Sequence, residues 1–175
     1  MMRLIHAVLA VLLIAGCADT HTLTRSSGTQ AAVSLQRQSS AYVAVPPDGQ
    51  YEATLYTGSG AMTAQAVATA FGPYLSKVIM GNKVESEEQA LASAKAGGFG
   101  YLLVPQILHW EDRATEWSAL PDVATVKLSV LSASTGALLD SVVIDGKSGL
   151  ATLGGDHPQD LLPKPMSEYA ASLFR

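Results

Sequence analysis

The sequence predicts an α/β fold (α+β-like): a compact domain with a mixed β-sheet, a C-terminal hairpin and about three packing helices. Three observations predict it. Apolar segments with two-residue alternation are interleaved with segments carrying a helical stripe, the pattern of a sheet with helices laid on it. "VATVKLSVL" and "ALLDSVVIDG" alternate on either side of "SASTG", which reads as a hairpin. Ser86-Glu87-Glu88-Gln89 has the spacing of a capping box and precedes the small-residue run "ALASAKAGG".

The first domain strand is "SAYVAV", ended by the turn signal Pro46-Pro47-Asp48-Gly49. "QYEATLYTGSG" reads as loop or a marginal strand. "AMTAQAVATAFGPYLSKVI" places Val67, Phe71, Tyr74, Leu75 and Val78 on one helical stripe. Gly72-Pro73 within it demands a bend or a break, because proline removes an amide donor. A short strand then leads to the capped helix, which Gly97-Gly98 ends. "YLLVPQIL" is the most apolar strand candidate and is expected at the centre of the sheet, with Pro105 marking an edge or a bulge near its end. In the hairpin, Val126, Leu128 and Val130 face one way; Thr125, Lys127 and Ser129 face the other. Met166, Tyr169, Ala170 and Leu173 form the last helical stripe, started by Pro165. The order predicts helices on one or both faces of the sheet.

The N-terminus points to export. "MMRLIHAVLAVLLIAGC" carries Arg3, an apolar core from about Ala7 to Ile14, and a small-residue exit at Ala15-Gly16. The apolar run is too short to span a bilayer, which takes about 20 residues. Ile14-Ala15-Gly16-Cys17 resembles the bacterial lipobox. That resemblance implies diacylglycerol on the Cys17 thiol, cleavage before it, and acylation of the new amine. Two or three acyl chains suit stable anchoring. Ala18-Asp19 lacks an aspartate directly after the cysteine, which by resemblance to known sorting favours the outer membrane, with the domain facing the periplasm. The expected organisation is a signal peptide at 1–16, a lipidated cysteine with a flexible tether at 17–39, and an α/β domain at 40–175.

Removing residues 1–16 leaves 159 residues with ten basic and fifteen acidic side chains, a formal balance of about −5. The basic residues are scattered, which argues against a nucleic-acid partner. Cys17 is the only cysteine. Once lipidated, it leaves the domain with no thiol for a disulfide, a metal or a nucleophile.

The stretches "VAVPPDGQYEATLYTGSGAMTAQAV", "ALASAKAGGFGYLLVPQILHWEDRATEWS", "VKLSVLSASTGALLD" and "GGDHPQDLLPKPMSEYAASL" resemble the DUF4823 family of small proteobacterial lipoproteins of unknown function. They are spread over most of the mature chain, from Val43 to Leu173. More distantly, "GYLLVPQIL…VKLSVLSASTGALLDS" is similar to the sheet in the amino-terminal domain of TolB and in CsgG-like and penicillin-binding-protein-activator lipoproteins. The kinship implies a fold and an envelope setting, and carries no catalytic residue onto this sequence.

The densest polar and aromatic cluster is "HWEDRATEW", His109 to Trp117. As a binding edge it would offer Trp110, Arg113, Glu116 and Trp117 to a protein partner, since tryptophan and arginine anchor interfaces. The alternative is a loop whose tryptophans cover the sheet end. His109 and Glu111, joined by Asp156 and His157, form a weaker metal candidate with zinc-type ligands. Asp156-His157-Pro158 also suits the start of a turn. "TGSGAMT" places glycines before a helix, where amide donors could hold an anion, but it lacks the lysine and spacing of a phosphate loop. Ser59 sits in no nucleophile elbow. No catalytic residue and no cofactor is assigned. The expected function is a non-enzymatic binding or scaffolding module, with a metal- or small-ligand-binding protein, possibly a hydrolase, as the alternative. A further expectation is that "HWEDR" and "GGDHPQD" meet at one end of the sheet.

Overall fold

The structure, a computed structural model, describes residues 19–25, 33–113, 120–149 and 157–175. The strands are Thr20–Arg25 (β1), Ser40–Val45 (β2), Gln50–Tyr51 (β3), Thr54–Leu55 (β4), Lys77–Val84 (β5), Tyr101–Glu111 (β6), Val123–Ser132 (β7) and Leu138–Lys147 (β8). The helices are Ser59–Phe71 (α1), Glu87–Ala96 (α2) and Pro163–Leu173 (α3), the last preceded by a 3-10 turn at Pro158–Leu161. One sheet runs β1-β8-β7-β6-β2-β5, and β3 pairs with β4 in a small hairpin.

Chirality places the helices. β2 is parallel to both of its neighbours, β5 and β6. Parallel crossovers are right-handed in nearly every protein. The β2-α1-β5 crossover steps outward and the β5-α2-β6 crossover steps back past β2, so α1 and α2 must lie on opposite faces. The core divides accordingly. Val43, Val67, Phe71, Leu103, Val126, Leu128, Val130, Ile144, Met166, Tyr169 and Leu173 form the larger cluster beneath α1 and α3. Ala44, Ala90, Ala94, Leu102, Leu131 and Ala133 form the smaller one beneath α2. The alanines explain how α2 lies close to the sheet.

Local signals account for most boundaries. Ser86 Oγ accepts from Gln89 N at 3.2 Å, and Gln89 Oε1 accepts from Ser86 N at 3.0 Å, so the capping box forms. The hairpin forms as expected, with Gly136 at φ +77° in its turn. "YLLVPQIL" opens β6, which pairs on both sides. The β2 side of that pairing ends at Leu103, so Pro105 sits where the strand behaves as an edge.

Three expectations are corrected. The break expected at Gly72-Pro73 is where α1 ends, at Phe71, but the part of the stripe placed beyond it is not helical, and Val78 belongs to β5. The last helix begins at Pro163, two residues before the proline expected to start it. Most of all, the tether expected at 17–39 is partly built into the domain. Thr20–Arg25 pairs antiparallel with β8, from Thr20 opposite Lys147 to Arg25 opposite Val142. Leu35 is a core residue whose amide donates to Leu173 O at 2.7 Å.

The smaller face carries a hydrogen-bonded acid that titrates. Tyr42 Oη donates to Glu85 Oε2 at 2.5 Å, and Ser93 Oγ donates to Glu85 Oε1 at 2.8 Å, tying β2, β5 and α2 together. The Tyr42 hydrogen bond holds the Glu85 carboxyl below its ordinary value, assisted by Ser93 and Lys83 against the opposing effect of burial. Burial first, then Glu85, pushes the Tyr42 phenol up to about 12. A depressed carboxyl contributes stability above its unfolded pKa, and that contribution is lost as pH falls through the folded value. A raised phenol contributes below pH 10, and its contribution is lost as pH rises towards 12. Tyr42→Phe is therefore expected to cost about 1 kcal/mol at pH 7 in urea unfolding. The gap from wild type should narrow below pH 4 and again towards pH 12. A gap independent of pH would show that the hydroxyl contributes packing alone.

Candidate functional site

One end of the sheet gathers the sequence-predicted candidates that lie among the described residues: His109, Trp110, Glu111, Arg113 and His157. The register sets Glu111 opposite Val123, Val123 opposite Lys147, and Lys147 opposite Thr20, so β6, β7, β8 and β1 all reach this rim. The β3–β4 hairpin and the N-terminus of α1 close it from the β2 side. The ring of Tyr51 meets His109 edge-on, with centroids 4.9 Å apart.

A β-bulge between Ile107 and His109 decides which candidates point where. Leu103, Pro105 and Ile107 lie opposite Val130, Leu128 and Val126 on the larger core face. The extra residue reverses the alternation. Trp110, opposite Ala124, then turns into the core, while His109 and Glu111 turn to the other face. Trp110 is only 2% exposed. A Cβ added at Gly49 would lie 2.6 Å from its Cβ, so glycine alone fits beneath it. Across the same row, Ala124 pairs with Gly146, and Leu161 of the 3-10 turn rests on Gly146. Trp110 is thus a core residue of the free chain that also lines the cleft described below, a correction of the exposed binding edge and in keeping with the alternative in which it covers the sheet end.

Glu111 is engaged on both oxygens: Oε2 lies 3.2 Å from His109 Nε2, and Oε1 lies 2.5 Å from Arg113 Nη2. The Arg113 amide donates to Asp122 Oδ1 at 2.5 Å, which fastens the chain as it leaves β6. On the other side of the rim, Asp112 Oδ2 lies 3.4 Å from His157 Nδ1. The words "HWEDR" and "GGDHPQD" therefore meet, through Asp112 and His157. The start of "HPQD" is itself a turn: His157 N donates to Asp160 Oδ2 at 3.1 Å, and Asp160 N donates to His157 O at 2.8 Å.

The same geometry separates the metal candidates. His109 and Glu111 share one face, and Asp112 with His157 occupies the other. Among the described residues no three His, Cys, Asp or Glu side chains converge as a metal site. Asp156, Glu116, Trp117 and Cys17 lie outside the described residues.

Between the two words opens a cleft of about 310 Å³, lined by Tyr56, Thr57, Met62, Trp110, Asp112 and His157 among others. Its wall explains the glycines of "TGSGAMT". Asp48 Oδ1 accepts from Gly60 N at 2.8 Å and Oδ2 accepts from Gly58 N at 3.1 Å. The anion at this helix start is the chain's own carboxylate, which complements the helix dipole. A Cβ at Gly60 would fall 2.2 Å from Pro46 O, so the helix start and the turn press together. Ser59 Oγ accepts from Gly49 N at 2.8 Å and is buried, a structural use of the hydroxyl. Sequence reasoning passed over Asp48. Its signal was a carboxylate in a Pro-Pro-Asp-Gly turn, ten residues before a glycine-rich helix start.

A family model described as "Domain of unknown function (DUF4823)" matches residues 33–173. None of the curated proteins matches the chain in sequence. Among solved structures, the PelC L103M dodecamer from Paraburkholderia phytofirmans is similar, with TM-score 0.66, 16% identity, and coverage of 89% of this chain and 100% of that one. A second PelC dodecamer structure from the same organism has TM-score 0.67 and 16% identity over 88% of this chain and 97% of that one. Lipoprotein GNA1162 from Neisseria meningitidis has TM-score 0.49 and 14% identity over 76% and 98%. At these identities the likeness to the PelC structures is one of fold.

Proposed function

The chain belongs to the DUF4823 family, and on that premise we propose that it is a lipid-anchored module of the cell envelope. It is held in the outer membrane by an acylated Cys17, and it binds or scaffolds a periplasmic or outer-membrane protein without turnover. The observation that carries this reading is the joining of "IAGC" to a domain with the fold of PelC. The PelC structures are dodecamers, and a scaffold built from copies of one chain is the corresponding reading here. The sheet supports it: β1 and β5 are its two outer strands, and outer strands offer backbone groups to a neighbour. Among the described residues no helix is long and apolar enough to cross a membrane.

Crosslinking in cells followed by mass spectrometry tests it. The expected result is a defined set of crosslinks from β1 or β5 to a second copy or to one envelope protein. Crosslinks scattered over all faces, with no recurrent partner, would overturn it. A second reading, small-ligand binding, has the cleft between Trp110 and His157 in its favour, since its volume falls at the lower end of ligand sites.

A further inference from the structure

The pairing of β1 fixes how far the domain stands from its anchor. Thr20 is already in register with Lys147, and Asp19 Oδ1 accepts from Gly149 N at 3.1 Å. Cys17 therefore reaches the sheet through three peptide steps, about 10 Å when fully extended. A tether of 22 residues would let the domain turn freely; a leash of this length does not. β1 also enters the sheet at the rim that carries the cleft, because Thr20, Lys147, Val123 and Glu111 lie in one row. Large apolar side chains are exposed at that same end: Leu55 on β4, Met62 on α1, Leu108 at the bulge, and Leu120 just before β7.

We propose that this end of the sheet lies against the bilayer, with Leu55, Met62, Leu108 and Leu120 in contact with the lipid surface and the Trp110–His157 cleft opening towards it. The inference rests on the acylation of Cys17 proposed above. The contact is apolar rather than electrostatic: Asp19, Glu52, Glu111, Asp112 and Asp122 outnumber Arg113 and Lys147 there. The opposite end, where Gly136 turns β7 into β8, points away from the membrane. Leu138 at that turn lies nine residues along β8 from Lys147, about 30 Å. In this orientation β1, β5 and the far end are the surfaces left for a protein partner.

The test uses the native acylated protein in neutral phosphatidylcholine vesicles carrying a headgroup nitroxide. Acylation consumes the only thiol, so Leu55→Cys and Leu138→Cys each offer one labelling site, at positions 59% and 58% exposed. A fluorophore at residue 55 is expected to be quenched several-fold more than one at residue 138, with little dependence on salt. Equal quenching, or stronger quenching at 138, would overturn the orientation. Mass spectrometry of the same vesicles separates the two readings. An acylated Cys17 with equal quenching removes this inference alone, whereas an unacylated Cys17 removes the anchor and the inference together.

Discussion

Trp110→Ala is expected to destabilise the domain by about 3–5 kcal/mol, the usual cost of deleting a buried indole. For a domain of this size the corresponding fall in Tm is about 10–15 °C. The cost arises because nothing can collapse into the space. Trp110 is 2% exposed, a Cβ at Gly49 would already lie 2.6 Å from its own, and along its row stand Ala124 and then Gly146, both too small to fill the space. Leu161 is held over Gly146 by the 3-10 turn, and the Asp112–His157 pair joins that turn to the end of β6. The loss should therefore loosen the rim as well as the core. Thermal unfolding followed by far-ultraviolet circular dichroism, with no partner present, checks this. Trp110→Phe, which keeps most of the volume, should recover most of the stability. A variant with wild-type Tm but lost crosslinks in cells would return Trp110 to the role of an interface anchor.

The misassignment of Trp110 has a physical origin. In "YLLVPQILHWE" strict alternation from Leu103 would put His109 in the core and Trp110 outside. One inserted residue, at the bulge between Ile107 and His109, inverts every side chain after it. Pro105 signalled an edge or a bulge near the end of the strand, but not the position at which the extra residue is inserted. The complementary clue was on the partners, where Ala124 and Gly146 leave a hollow of aromatic size. The hairpin, the capped helix and the last helical stripe were legible because their signals are local: alternation, a Ser-x-x-Gln cap, a periodic face. β1 was not. "THTLTR" pairs on one side only and lies on the rim of the sheet, so it needs little apolar content and reads like the polar sequence around it. The Asp112–His157 contact was legible as a meeting of two words, but the division of His109 and Glu111 from His157 follows from the bulge and was not.

Cys17→Ser is expected to abolish lipid attachment entirely. The thiolate is the nucleophile of cysteine chemistry, and a serine hydroxyl at neutral pH supplies no comparable anion. Lipobox processing, to which "IAGC" is similar, acts on the acylated cysteine, so the variant should keep residues 1–16 and remain in the inner membrane by its apolar run. The fold should be indifferent to this. Among the described residues, β1 is held by its pairing with β8, from Thr20 opposite Lys147 to Arg25 opposite Val142, and by the bond from Gly149 N to Asp19 Oδ1. The uncleaved variant should thus have the circular dichroism spectrum and Tm of the processed protein, released from the membrane by detergent. Membrane fractionation together with mass spectrometry of the N-terminus reads both halves of the result. A soluble product beginning after residue 17 would overturn the anchor. An unstable, degraded precursor would show that β1 requires the free N-terminus that processing creates, because a strand starting three residues from the cleavage site leaves the signal segment almost no room to avoid the rim.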